Sequence, residues 1–415
     1  MEYFDISLKL TAEDIAIRDS AHKFAEEVMR PVAKKLDQMS AEEGIAKNSP
    51  LWPFLKKAYE LGYHRILLPE AYGGLSLTPL QLSLVFEELG WGSWGLGLLL
   101  GVSAFPFFAI CLTGDYDLID QYVVPFCECN DGSMIGCWCG TEPEHGTDIL
   151  YFEKFFYDPK IRGNVQARLK GDEWVINGQK AAWVSGGCIA THGLTFLQID
   201  PSLGMAGGGV CVVPLGKGVT KGKALEKIGQ RDLNQGEVYF DDARIPQNHM
   251  IAGPDCYPEM VDLILGSANA AMASFATGLA RAAFEEALVY ARERVQGGRL
   301  ITEHTSVRQR LFDMFAKVET CRALSRAIFN LNFNISPPLT EYSIVAKTRT
   351  TQMCLEVAHE AIQILGGNGL TKEYLVEKLF RDARASLVED GLNEMLAATG
   401  GKTIAETYPR RIEGL

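Results

Sequence analysis

Two adjacent carboxylates, Glu389 and Asp390, stand immediately before Gly391 in the stretch RDARASLVEDGLNEM, residues 381–395. Neighbouring side chains on a helix point about 100° apart, so the two cannot share one task there. A carboxylate taken out of water has a raised pKa and becomes a usable general base near neutral pH. Either residue could therefore do proton chemistry; the plain alternative is that both cap the start of a helix. A second cluster, Cys127, Cys129, Cys137 and Cys139, holds two C-x-C pairs. Zinc knuckles separate paired cysteines by about two to four residues, whereas C-x-C in a strand simply puts two small apolar side chains on one face. No metal site is expected.

Several other stretches could hold a ligand. Thr141 and Thr147 place two hydroxyls in the Gly/Pro-bounded loop TEPEHGTD (141–148). In AWVSGG, Trp183 and Ser185 fall on the same face of a strand, a flat aromatic beside a hydroxyl, suited to stacking and hydrogen bonding. ERVQGG (293–298) offers Arg294 and Gln296. QILGGNG (363–369) offers Gln363 with Gly366 and Gly367, which let backbone approach a ligand closely,.

Three zones must position these residues. Residues 1–130 read as helical, with apolar residues recurring at three and four in AEDIAIRDSAHKFAEEVMRPVAKKLDQM,. Residues 131–252 change to short alternating runs bounded by Gly, Asn and Pro, the mark of strands, with Asn177-Gly178 expected as a hairpin turn,. Residues 253–415 return to long helices that read as an antiparallel bundle,. The fold class is α+β multidomain: a helical domain, a β-barrel-like domain and a four-helix bundle.

The chain has 415 residues and a formal charge of −12, which argues against nucleic acid or an anionic membrane as the main partner. The charge-free run from Leu89 to Gly114 has the length of a membrane span,. It is flanked by Glu87, Glu88, Asp115 and Asp117 and interrupted by five internal glycines and Pro106, so a broken pair of buried helices is expected instead of membrane insertion,. The first residues, MEYFDISLKL, show no basic n-region and no h-region; no secretory signal and a cytoplasmic location are expected.

TEPEHGTD, NGQKAAWVSGG, FDDARIP, ILGGNGL and EYLVEKLFRDAR occur in one order along nearly the whole chain. Together they resemble the acyl-CoA dehydrogenase family of flavoproteins. The resemblance implies FAD as cofactor and α,β-dehydrogenation of an acyl thioester. It implies that Thr141 and Thr147 contact the isoalloxazine ring, that Trp183 stacks beside it, and that Ser185 bonds near its N5. Arg294, Gln296, Gln363, Gly366, Gly367 and Glu394 would serve the rest of the cofactor, partly across a subunit interface, in a homodimer or homotetramer. Leu98, Phe105, Phe108 and Gly391 would line the acyl pocket, and an electron-transferring flavoprotein or similar acceptor would take the electrons.

Five departures from the family pattern stand out. The usual catalytic Glu position falls on Asp390, with Glu389 one place early, so Asp390 is the expected base and Glu389 the alternative. The other base position known among relatives falls on Ala268, which cannot act, beside Asn269. Gly297 stands where relatives usually have Phe, and Leu392 replaces a common Thr. The segment 149–163 is longer than usual and rich in aromatics, a candidate loop at the substrate mouth. A shorter base, together with Phe105, Phe107 and Phe108, suits a bulky neutral acyl group, and the resemblance, whose members with an Asp base include alicyclic carboxyl-CoA dehydrogenases, implies a branched, alicyclic or aromatic-derived one. A nitroalkane-oxidase-like flavoprotein using Asp390 remains open, as does a redox-silent enolate lyase or flavin-free binding protein.

Overall fold

The computed structural model describes residues 10–150, 154–335 and 337–413. The reading of the first nine residues, and that of 151–153 within the aromatic segment, lie outside the described residues.

The N-terminal zone is helical. α1 (Ala12–Phe24) opens on a capping box, the Thr11 hydroxyl accepting from the Asp14 N–H at 3.1 Å while Asp14 accepts from the Thr11 N–H at 2.9 Å,. One widened turn joins it to α2 (Arg30–Gln38). Pro31, which has no N–H to give back to the preceding turn, follows directly,. After α3 (Leu51–Glu60), the charge-free run forms α4 (Pro79–Gly92) and α5 (Trp94–Thr113). The break falls at Ser93, which is extended and caps α5 by accepting from the Leu96 N–H at 3.2 Å. Pro106, expected as an interruption, does not break α5: the helix runs through it. Its ring lies where a side chain at Gly136 would otherwise stand.

The middle zone is a sheet of β1 (Gly136–Cys139), β2 (Gln166–Lys170), β3 (Glu173–Ser185), β4 (His192–Gln198), β5 (Gly208–Pro214), β6 (Val219–Lys221), β7 (Gln235–Pro246) and β8 (Met250–Ala252). The strand order is β6-β7-β3-β2-β4-β5-β8, with β1 parallel to β4. Its end strands, β6 and β8, are three residues each and do not pair. The barrel-like form expected of this zone therefore does not close among the described residues. Asn177-Gly178 is no hairpin turn. It is a bulge inside β3, where the register against β7 slips between Ile176 and Gly178,. Gly178 takes φ 133°, and a Cβ there would stand 2.7 Å from the Asn164 carbonyl. The turn lies one step earlier, at Gly171-Asp172 between β2 and β3. Cys137 and Cys139 are buried on one face of β1, sulfurs 3.6 Å apart.

The C-terminal zone has three long helices, α6 (Tyr257–Glu293), α7 (Thr305–Asn334) and α8 (Thr340–Leu365), with α9 (Val376–Ala385) and α10 (Asn393–Glu413) packed on them. α6 also packs on α4, so one apolar core runs from the first zone into the bundle. Both α5 and α6 are apolar enough to span a membrane, yet 67% and 78% of their most apolar windows are buried inside the fold. Glu87 and Glu88, the acids beside the run, meet Arg281 of α6; Glu87 also meets Arg322 of α7 at 3.1 Å. The three cations, counting Arg326, hold the Glu87 carboxyl well below its usual range.

Candidate active site

α9 delivers the chain to the two carboxylates, and ion pairs fix α9. Lys378 lies between Asp382 and Asp232, the latter at 3.2 Å, and Arg381 reaches back to Asp37 of α2 at 2.7 Å. These contacts explain the charged pattern of EKLFRDAR. Between α9 and α10 the chain reverses through Asp390 at φ 49° and Gly391 at φ 98°. Both are left-handed, a region Asp tolerates better than most residues. At 391 only glycine fits without strain, because a Cβ would stand 2.8 Å from the Leu396 side chain,.

Four separate elements hold this turn. The Leu392 N–H donates to Thr147 Oγ1 at 3.1 Å. Asn269 Nδ2, on α6, donates to the Asp390 carbonyl at 3.2 Å. Lys347 Nζ, on α8, donates to the Gly391 carbonyl at 2.6 Å and to Asn393 Oδ1 at 2.8 Å. Gln230 Nε2, from the loop before β7, donates to Glu389 Oε1 at 2.7 Å.

The neighbouring carboxylates are thus placed differently. Glu389 is engaged by the Gln230 amide, while among the described residues the Asp390 carboxylate accepts no hydrogen bond. Burial raises both. Glu389 is pushed up to about 8 by burial and by the Asp390 charge, against Gln230, Lys347 and Lys227. Asp390 rises by burial to about 6, with Lys347 opposing. Glu389 is raised further because the Asp390 charge adds to its burial, so Asp390 is the readier of the two to ionise,.

The TEPEHGTD loop forms an adjoining wall. Buried Glu142 pairs with Lys180 at 2.8 Å, and Lys180 also donates to the Gly140 carbonyl at 2.9 Å. The Thr141 carbonyl accepts from the Ala181 N–H at 2.9 Å, which sets Thr141 beside the second bulge of β3, between Lys180 and Val184. That bulge leaves Trp183 59% exposed while Val184 is fully buried. Gln235 Nε2 donates to Ser185 Oγ at 3.0 Å, and Lys227 Nζ to Gln235 Oε1 at 2.8 Å. A polar relay therefore runs from Ser185 toward the carboxylate turn.

The remaining candidates lie apart from one another. On α5, Leu98 is buried and Phe105 and Phe108 are half-buried; Phe105 meets Trp138 of β1 edge-on, centroids 5.7 Å apart. Arg294, Gln296, Gln363, Gly366 and Gly367 are exposed at one end of the bundle, where Asn368 Nδ2 donates to the Tyr290 hydroxyl at 3.1 Å. Lys347 and Leu365 are separated along α8 (Thr340–Leu365) by about 27 Å at 1.5 Å per residue,. The carboxylate turn and this bundle end therefore do not meet within one chain. Glu394 is exposed at the start of α10. The aromatic segment packs, through Lys154–Tyr157, on the turn Pro201–Gly207 of the β zone. A cleft of about 890 Å³ lies elsewhere, over the Glu87 and Glu88 cluster, where the charges are spent on one another.

The sequence reading passed over Gln230, Gln235, Asn234 and Lys347. Lys347 alone left a signal: it falls on the interior stripe Ile344, Lys347, Thr351, Cys354, Ala358, Ala361 of α8, all buried,. Asn234 is buried with neither side-chain amide atom partnered among the described residues, and its backbone carbonyl accepts from the Gly186 N–H at 2.9 Å. The unpaired buried Asn234 amide beside Ser185 and an exposed indole suit a flat heterocycle rich in donors and acceptors, as a flavin is.

Comparison with known proteins agrees. Three family models match in order: the N-terminal domain of acyl-CoA dehydrogenase over residues 11–129, its middle domain over 137–243 and its C-terminal domain over 263–405. The mitochondrial short-chain specific acyl-CoA dehydrogenase of Rattus norvegicus is 29% identical over 391 residues, 94% of this chain and 89% of that protein. The structure of butyryl-CoA dehydrogenase from Megasphaera elsdenii superposes with a TM-score of 0.83 at 25% identity, covering 98% of this chain and 100% of that one. A structure described as an electron transferring flavoprotein of Acidaminococcus fermentans gives 0.84 at 26% identity, covering 96% and 99%. With three matched domains in the family's order and a fold to suit, the chain belongs to the acyl-CoA dehydrogenase family of FAD-dependent oxidoreductases.

Proposed function

We propose that Asp390 is the base that removes the α-proton of an acyl-CoA whose acyl group is bulky and neutral, branched or alicyclic. The observation carrying this is the division of the carboxyl pair: Glu389 is bonded to Gln230, whereas the Asp390 carboxylate accepts no hydrogen bond among the described residues and is the less raised of the two. FAD, when bound, supplies the acceptor for the β-hydride. The chain's own residues do the rest. Asp390 takes the proton on a carboxylate oxygen, and its burial brings its basicity nearer to that of the bound thioester. Thr141, Thr147, Trp183, Ser185 and Asn234 would seat the ring. Phe105 and Trp138, on a helix without a charged residue and a facing strand, favour an uncharged acyl group. The exposed bundle-end set of Arg294, Gln296 and Gln363, remote from its own carboxylate turn, supports a homo-oligomer in which each chain completes its neighbour's cofactor site. Electrons would leave to an electron-transferring flavoprotein or similar acceptor.

Anaerobic bleaching of the bound flavin by butyryl-, isobutyryl-, cyclohexanecarboxyl- and glutaryl-CoA tests this. The expected result is fastest bleaching by the cyclic or branched esters, abolished in Asp390→Asn and retained in Glu389→Gln. Full bleaching in Asp390→Asn with none in Glu389→Gln would move the base one residue back.

A further inference from the structure

The residue behind the carboxylate turn invites a role of its own. Lys347 is completely buried and sits two turns into α8. Its ammonium donates to the Gly391 carbonyl at 2.6 Å and to Asn393 Oδ1 at 2.8 Å. Asn393 is gripped a second time, its Nδ2 donating at 3.0 Å to Thr351 Oγ1, one turn further along α8. Both named partners of the ammonium are neutral, and among the described residues it makes no direct ion pair. A buried cation with only neutral partners is costly to folding, and an apolar side chain of similar volume would cost less. Its charge thus has a use other than stability.

We propose that Lys347 is a positioning residue for proton abstraction: it pins the 391–393 segment from behind and supplies the positive field that favours the Asp390 anion. This rests on the assignment of Asp390 as the base. The groups that face it can be enumerated. Asp390, Glu389 and Glu394 act on the ammonium from the turn and from the start of α10. Lys227 acts on Glu389 from the loop before β7, with Asp232, Asp382 and Lys378 around it in turn. Asp390 has Lys347 as the charge opposing its burial, and burial itself lowers Lys347 to about 8. The ammonium is therefore present through the pH range in which Asp390 ionises and is lost above it.

The test separates proton abstraction from hydride loss. The probe is 3,3-dimethylbutanoyl-CoA, which has α-hydrogens but none at the β-carbon, so the FAD-loaded enzyme can only exchange its α-protons. Exchange in D₂O is followed by proton NMR between about pH 5 and 9, a window spanning the usual carboxylate and shifted values. Wild type should show exchange rising with the ionisation of Asp390. Lys347→Met, and Lys347→Gln, which keeps a donor for the Gly391 carbonyl without the charge, should each move that midpoint up by about one pH unit or more. At pH values below both midpoints this gives a loss of about tenfold or more. Asn393→Ala, which keeps the ammonium, should slow exchange and leave the midpoint in place. Wild-type midpoints in the two Lys347 variants would overturn the proposal, and Lys347→Gln decides alone if Lys347→Met does not fold. Exchange persisting in Asp390→Asn would instead overturn the base assignment, and this role with it.

Discussion

Lengthening the base by one methylene is the perturbation that most directly tests the reading of Asp390. Asp390→Glu extends the carboxylate by one C–C bond, about 1.5 Å. The backbone cannot retreat to absorb that length, because Thr147, Asn269, Lys347 and Gln230 tie the turn from four elements. The added reach therefore enters the acyl space. A misplacement of about 1 Å between reacting groups costs on the order of 10²-fold in rate. Flavin reduction by cyclohexanecarboxyl-CoA should fall by about that factor. The slimmer butyryl-CoA can reseat against the advanced carboxylate and should lose about tenfold or less, moving the ratio of the two rates toward the straight chain. Position 390 is left-handed in φ, so Glu should also cost about 1 kcal/mol of stability, seen as a lower urea midpoint. The assay is anaerobic stopped-flow reduction of the bound flavin at about pH 7.5, above the Asp390 value of about 6, and at about pH 9, so that ionisation of the longer carboxylate is separated from its misplacement,. Equal losses on both esters, or a faster reaction with the cyclic one, would refute the link between a short base and a bulky substrate.

Three further outcomes follow from the same geometry. Glu389 holds its proton up to about 8, far above an unfolded carboxyl, so its destabilising effect is absent below about pH 4.5 and complete above about pH 8,. Glu389→Gln should gain stability over wild type as pH rises through that window, by on the order of a few kcal/mol at most, measured by urea unfolding at both ends. Lys180→Met strands the buried Glu142 carboxylate, a loss of about 3–5 kcal/mol that should lower the melting temperature and loosen flavin retention as the 141–148 loop frees. Gly391→Ala combines a left-handed φ with a Cβ 2.8 Å from Leu396 and should cost about 1–3 kcal/mol in thermal unfolding while slowing flavin reduction.

Much of the architecture could be read from local pattern. Helical periodicity over residues 12–38, the return of long helices after Tyr257 and the alternating runs between them all formed as the residues suggest. The misreadings have local causes too. Asn177-Gly178 carries a turn signature, but β3 continues because Asn177 Nδ2 bonds Asp242 Oδ1 across the sheet at 2.9 Å and Gly178 admits the Asn164 backbone. Pro106 was expected to interrupt α5, yet losing one helical bond is tolerable where the ring packs on Gly136,. The barrel-like sheet stays open because closure depends on the lengths and positions of β6 and β8, which alternation does not encode.

The sequence by itself determined the order of zones, the family resemblance and the identity of the two candidate carboxylates. These rest on periodicity and on residues a few positions apart, where chain geometry alone sets what can meet. The different surroundings of Glu389 and Asp390 were set only by the tertiary structure. Gln230, Asn269 and Lys347 reach the turn from 159, 121 and 44 positions away along the chain. A carboxylate's basicity depends on which amide, cation or apolar surface folding brings beside it. That convergence is long-range, and no local stretch records it.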